Sequence, residues 1–348
     1  MPGYPTAETE TRVHFDALLD RVGRIFRSAG MGDEDARLVA HSLVIADARG
    51  VHSHGVLRVP EYVKKLSSGG VDPRGNPRVA SDNGTALVVD GGNAMGQVAC
   101  AFAMERAIGR ARQTNLAAVA VRGGNHCGAL FYYAMMGLAE NMIGIVTTNA
   151  LPTMAPWGGL DKIVGINPMA VALPAGEEPP IVLDAAFSGS SHGKIRVYHQ
   201  KGLSIPEGWA YDANGNPTTD SGAALDGLLQ PIGGYKGVAL AIVTGILSSL
   251  LSGAAYGTEL GDMTGGPKAG VDGQFLLAIR IDAFEQPSIF RARVDSIIRE
   301  IRNSQPAAGV QRLHAPGELE HETELEYRRT GIPLNDETLS GLEACERA

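Results

Sequence analysis

Cysteine is nearly missing from this chain. The three present, Cys100, Cys127 and Cys345, are odd in number and far apart. That spacing excludes a disulfide framework and a CxxC metal pair, and is read as three reduced thiols of a cytoplasmic protein. Long apolar runs are missing too. The longest, Val238 to Leu251, is interrupted by Thr244, Gly245, Ser248 and Ser249. It falls short of the roughly 20 residues that a membrane span needs, so it is expected as a buried core helix. Excess positive charge is absent: the formal net charge is −8. This argues against nucleic acid or an anionic membrane as partner, yet allows a locally basic site for a small anionic substrate. The polar, acidic start is not expected to be a signal peptide, and residues 1–10 are expected as a loose lead-in.

What is present is ordinary for a globular enzyme. The 348 residues are 44% apolar and 20% charged, enough for a sizeable core and one to three domains. Glycine is abundant, at 45 residues, and implies many tight turns and close backbone approaches. The expected organisation is a helical segment over 1–80 that carries the substrate site, an α/β cofactor-binding domain over 81–310, and a tail over 311–348 that packs back on the first segment.

Helical spacing of Phe15, Leu18, Leu19, Val22, Ile25 and Phe26 predicts a first helix that Gly30 ends. Asp33 is read as the N-cap of a second, striped by Ala36, Val39, Ala40, Leu43 and Val44. Pro60 suits the first turn of a third. Strands are then expected at Ala86–Val89, Ala117–Val121, Ile143–Thr147 and Pro180–Leu183. They alternate with helices at Ala101–Arg112, Ala129–Glu140 and Val238–Leu251, which argues for α/β layers. Segments near 150–180 and 203–235 read as long loops around a site. A late helix follows Pro287. The alternating Glu318, Glu320, Glu322, Glu324 and Glu326 read as a solvated surface.

Three segments hold chemistry-bearing residues. Arg49-Gly-Val-His-Ser-His54-Gly-Val-Leu-Arg58, with Tyr62 beyond it, packs acid/base candidates, a hydroxyl and a cation into one short loop. His54 titrates near neutrality and can pass a proton, Ser53 can orient it, and Arg58 can hold a carboxylate. His52 and His54 also have metal-ligand spacing, which keeps a His-ligated metallohydrolase open as a rival, although no HExxH or DxD pattern supports it. Gly123-Gly-Asn-His126-Cys127-Gly128-Ala129-Leu130 lies between a strand and an expected helix start, where backbone N–H groups favour phosphate. Gly233-Gly-Tyr235-Lys236-Gly offers a lysine at a helix entrance. GxGxxG is absent, so no Rossmann fingerprint exists. Gly189–Lys194 is one residue short of a P-loop, with Ile195 where a magnesium-binding hydroxyl belongs.

Taken together, these segments resemble the second type of malate/L-lactate dehydrogenase family, which includes sulfolactate and ureidoglycolate dehydrogenases and cyclic-imine carboxylate reductases. The resemblance runs from about Phe15 to Leu342. It is carried by Arg49–Arg58, Asn125–Gly128, Ala155–Gly159, Asn167–Pro168, Gly193–Ile195, Ile205–Ala210, Pro217–Asp220, Gly233–Gly237 and Pro316–Glu318, in that order. It implies an α/β fold with a mixed sheet flanked by helices, like that of L-sulfolactate dehydrogenase and not a Rossmann fold. It also implies an NAD or NADP cofactor, a 2-oxo or 2-hydroxy acid substrate, and a homodimer with its cleft near the interface.

By position the resemblance makes Ser53 and His54 a relay, with His126 a second candidate acid/base and Lys194 completing the catalytic set. Arg58, Tyr62 and Ile166 fall at the substrate. His126, Cys127, Gly128, Ala129, Leu130, Asp184, Ala185, Ala186, Tyr235, Lys236, Arg312, Pro316 and Gly317 fall at the cofactor. Cyclic-imine reductases of the family carry Asp where this chain has Lys194, which tilts the expectation toward a hydroxy acid and leaves a cyclic imino acid as the alternative. Ile166 replaces the threonine of a Gly-Thr-Asn-Pro motif, so one substrate-facing hydroxyl is missing. A nucleotide-binding protein without turnover is a further rival, against which the retention of Ser53, His54 and Arg58 speaks.

Overall fold

The computed structural model describes residues 10–262 and 266–347. The loose lead-in expected for residues 1–10 lies outside them except for Glu10. Three helices open the described chain: α1 (Phe15–Ser28), α2 (Asp33–Ala48) and α3 (Val59–Ser67). The apolar stripe read from Phe15 to Phe26 is buried, with Leu18, Val22 and Phe26 fully enclosed. Asp33 is not the cap of α2. Gly32 precedes the helix, and Asp33 is its first residue, with Glu34 and Asp35 beside it at the positive end of the helix dipole.

Seven strands form the main sheet: β1 (Arg78–Asn83), β2 (Ala86–Asp90), β3 (Leu116–Gly124), β4 (Met142–Thr148), β5 (Met169–Leu173), β6 (Ile181–Ala185) and β7 (Asp272–Arg280). Their spatial order is β1-β2-β3-β7-β4-β5-β6. Only β2 and β3 run parallel; the other neighbours are antiparallel, so the sheet is mixed. A parallel pair needs a crossover, which α4 (Gly96–Thr114) supplies. Each strand expected from the sequence overlaps an observed one, but β1, β5 and β7 escape that reading. β7 arrives late in the chain yet sits at the centre, paired with β3 on one side and β4 on the other. Its run Phe275–Ile279 is apolar at every position, so it lacks the alternation that marks a half-exposed strand. β5 hides inside the segment expected as a loop over 150–180.

The later helices are α5 (His192–Gln200), α6 (Tyr235–Ser249), α7 (Pro287–Asn303), α8 (Glu318–Thr330) and α9 (Asp336–Arg347). The helix expected over Ala129–Glu140 is instead a single turn at Phe131–Ala134 followed by a 3₁₀ segment at Met135–Glu140. Nor is α6 a buried core helix. Its buried side is small, with Gly237, Ala241, Gly245 and Ser248, whereas Leu240, Val243, Ile246 and Leu247 face outward. The glutamate run is not merely solvated: it lies on α8, where Glu318 is buried against Arg302 and Glu324 meets Arg49 at 2.9 Å. Near the chain's end, Ile332–Leu334 pairs antiparallel with Thr11–Val13, tying the last segment to the first. Among the described residues no helix is long and apolar enough to cross a membrane.

Candidate active site

The loop that follows α2 is fixed by a carboxylate. Asp47, buried in the last turn of α2, accepts the backbone N–H of Val56 and faces His52 Nδ1, both at 2.7 Å. Gly55 lies so close to this carboxylate that a β-carbon there would overlap it. Two short 3₁₀ turns, His52–His54 and Val56–Arg58, result. They point His52 and His54 to different surroundings. Ser53 Oγ lies 2.9 Å from His54 Nδ1. Arg58 donates from Nε to the Ser53 carbonyl at 2.7 Å and from Nη1 to Glu61 at 2.7 Å, leaving Nη2 beside Gly193.

His126 comes from the other half of the molecule, just past the end of β3. Its ring stacks on that of His54, with centroids 5.7 Å apart and planes 14° from parallel. Tyr62, on α3, brings its hydroxyl within 2.6 Å of His126 Nδ1, and Gln97 Nε2 donates to that hydroxyl at 3.3 Å. Burial, reinforced by the Arg58 guanidinium, lowers the His54 pKa to about 3. Burial, then His54 and Arg58, hold His126 well below the usual histidine range. Burial pushes the Tyr62 phenol upward. Both imidazoles are therefore neutral at pH 7 when no anion is bound.

Two cavities meet at His54. The larger, about 590 Å³, is lined by His54, Arg58, Tyr62, His126 and Ile166, with Lys162 and Arg196 adding positive charge and Asp262 adding negative, while burial raises the Asp272 carboxyl pKa to about 7. The smaller, about 210 Å³, is lined by Ser53, His54, Gly128, Ala129, Leu130, Asp184, Ala186 and Gly317. His54, Gly128, Ile166, Pro168 and Ser191 belong to both walls.

The structure thus brings Ser53, His54, Arg58, Tyr62, His126, Cys127 and Ile166 together, with Gly128–Leu130, Asp184, Ala186 and Gly317 on the adjoining wall. Other residues lie elsewhere. Lys194 is held over the ring of Trp209 at 5.0 Å, while Ser191, whose hydroxyl caps α5, His192 and Gly193 line the larger cavity. Tyr235 and Lys236 are exposed at the start of α6. Arg312 pairs with Glu318 and Glu322. Pro316 contributes its carbonyl to the Val182 N–H at 3.0 Å, and Ala185 is a rung of β6. Next to the loop expected to hold phosphate, the backbone N–H of Phe131 donates to Asp184 Oδ2 at 2.8 Å. The metal pairing of His52 with His54 does not form: His52 is engaged with Asp47 and His54 with Ser53. Among the described residues no group of three or more His, Cys, Asp or Glu is placed to hold a metal. The sequence reading passed over Asp47, Glu61 and Gln97. Asp47 stands five residues before His52, where the end of a helix lets an acid reach the loop; Gln97 carries no comparable signal.

Fold and cleft together define a mixed-sheet α/β oxidoreductase of the sulfolactate dehydrogenase type, distinct from Rossmann proteins. Residues 13–343 match the malate/L-lactate dehydrogenase family model, and the chain belongs to that family. It is 37% identical to malate dehydrogenase of Pyrococcus abyssi over 98% of this chain and 95% of that one. Its structure is similar to sulfolactate dehydrogenase from Methanocaldococcus jannaschii, with TM-score 0.90 and 33% identity over 97% of each chain. Malate dehydrogenase from Entamoeba histolytica gives TM-score 0.94 at 29% identity, over 97% of this chain and 98% of that one.

Proposed function

We propose that this protein interconverts a small 2-oxo acid and its 2-hydroxy acid with NAD or NADP, in the cleft lined by His54 and His126. The observation that carries the reading is the stacked histidine pair beside Arg58, all three lining the larger cavity, with His54 also lining the smaller one. The smaller cavity, about 210 Å³, has room for the nicotinamide end of a dinucleotide. Small residues at Gly128, Ala129, Ala186 and Gly317 leave space next to His54 that larger side chains would fill, and Ile166 and Pro168 offer apolar surface to a flat ring. Ser53, His54, Gly128, Ala186 and Gly317 are the residues that would hold it, and the nicotinamide supplies or takes the hydride.

This chain's own residues handle charge and protons. Arg58 Nη2 meets the substrate carboxylate, since Nε and Nη1 are committed to Ser53 and Glu61. Lys162 and Arg196 in the wall of the larger cavity favour the same anion. In the oxidative direction neutral His54 takes the hydroxyl proton while Ser53 orients its ring. In the reductive direction the bound carboxylate offsets the Arg58 charge, which lets His54 hold the proton that it returns to the forming alkoxide. The outward leucines and valine of α6 are read as the contact with a second copy of the chain, giving the homodimer.

The test is a panel of 2-oxo acids, with and without amine to form cyclic imines, followed by oxidation of NADH and NADPH. Turnover of a 2-oxo acid, lowered about 10²–10⁴-fold in His54→Ala, is expected. Cofactor binding without turnover of any acid overturns the reading.

A further inference from the structure

We infer that Gln97, acting through the hydroxyl of Tyr62, holds His126 with its proton on Nε2, so that the ring presents a hydrogen-bond donor and not a base to the cavity. Gln97 is in this sense a positioning residue. The inference rests on the dehydrogenase reading for its catalytic meaning, but its structural content stands apart from it.

The placement begins with Gly96. A β-carbon there would overlap the carbonyls of Asn125 and His126, so only glycine lets α4 start against that backbone. Gln97, the next residue, is fully buried. The one hydrogen bond its side chain makes among the described residues is the 3.3 Å contact from Nε2 to Tyr62 Oη; its Oε1 is buried without a partner.

Donor directions settle the rest. The backbone N–H of Gly128, which can only donate, points at His126 Nδ1 at 3.4 Å and fixes it as an acceptor. The phenol therefore turns its proton to Nδ1, 2.6 Å away, and its oxygen accepts from the Gln97 amide nitrogen. Two donors converge on Nδ1, which must offer a lone pair, and the ring proton resides on Nε2. That nitrogen has no protein partner among the described residues, and His126 lines the larger cavity.

A neutral imidazole of this form does not complete a proton transfer. Losing the Nε2 proton would leave either an imidazolate or, if Tyr62 gave up its own, a phenolate that burial disfavours. His126 therefore stabilises negative charge on the substrate oxygen as a fixed donor, and His54 does the transfer.

The experiment is long-range ¹H–¹⁵N NMR of the full chain labelled at histidine, with His126 assigned by its loss in His126→Asn. Wild type is expected to show a bare Nδ1 and a protonated Nε2 at His126; a protonated Nδ1 overturns the inference without any assay of activity. Tyr62→Phe keeps the volume and cuts the relay, and Gln97→Leu removes its first donor. In each, His126 is expected to become a mixture of tautomers while the His54 signals stay in place. Persistence of one Nε2–H form in either folded variant shows that the relay does not position the ring. If 2-oxo acids are turned over, kcat in Gln97→Leu falls about 10-fold with the His54 pH limb unmoved, less than the roughly 10²–10³ for outright loss of such a donor. A silent panel with the expected tautomers sinks the substrate reading alone.

Discussion

The side chain of Asp47 reaches nine residues along the chain to accept the Val56 N–H at 2.7 Å, and this single bond fixes the turn that carries Ser53 and His54. Asp47→Ala leaves that buried N–H without its acceptor, a cost of roughly 1–3 kcal/mol for the unsatisfied donor. The expected outcome is a Tm lower by several degrees and a kcat reduced more than the change in KM, because the loop is displaced from its partner His126. Calorimetry and steady-state kinetics check both; a variant with wild-type kinetics removes Asp47 from any role in placing the loop.

The low pKa of His54 predicts the shape of the pH profile. In the free protein the ring is the neutral, proton-accepting form down to about pH 3. Oxidation of the hydroxy acid, followed as kcat/KM, should therefore show no acid limb near 6.5. Once a carboxylate sits on Arg58, part of the opposing charge is cancelled and the His54 pKa rises, so the acid limb of kcat lies at higher pH than that of kcat/KM. Coincident limbs near 6.5 in both would contradict this electrostatic account.

The same shifts act on stability. Burial lowers the folded-state pKa of His54 and His126, so as pH falls below about 6.5 the unfolded chain binds protons that the folded chain refuses. Stability is whole above that pH and declines on acidification, for His54 until about pH 3. Each ring contributes at most about 1.4 kcal/mol per pH unit in that window. His54→Gln removes one titrating group, and the drop in Tm between pH 7 and pH 5 should shrink. An unchanged drop would mean that the ring titrates alike in both states.

Arg58→Lys retains the charge but loses the planar fork that spans Ser53 and Glu61. The expected result is a KM for the acid raised about 10-fold or more, roughly 1.4 kcal/mol, with binding of the dinucleotide, measured by fluorescence, little altered. A fall in dinucleotide affinity with KM for the acid unchanged would move Arg58 to the other cavity.

The outward face of α6 gives a test of assembly. Leu240, Val243 and Ile246 are 49%, 56% and 40% exposed, more apolar surface than a lone chain keeps without cause. Val243→Glu should convert a dimer to a monomer in light scattering at low salt. A monomeric wild type, or a dimer indifferent to the charge, assigns that face to something else.

Much of the architecture was legible in the residues themselves. The stripe from Phe15 to Phe26 and the alternation of strands and helices after Ala86 specify α/β layers, because periodicity and turn chemistry are local properties; the fold outside the Rossmann class came from the family resemblance, with which the absence of GxGxxG agrees. Arg49–Arg58 announces its chemistry by composition alone. What the residues could not disclose is which distant segments meet. β7 becomes the central strand only by pairing with β3 and β4, which lie more than a hundred residues earlier. Lys194 turns toward Trp209 because α5 is capped by Ser191 and packs as it does, not because of any rule of spacing. His54 and His126 were rival candidates in the sequence; α3 and the end of β3, docked through Tyr62 and Gln97, made them neighbours. Tautomer, pKa and cavity are set by those long-range contacts, since burial and donor direction exist only once the chain has closed around them.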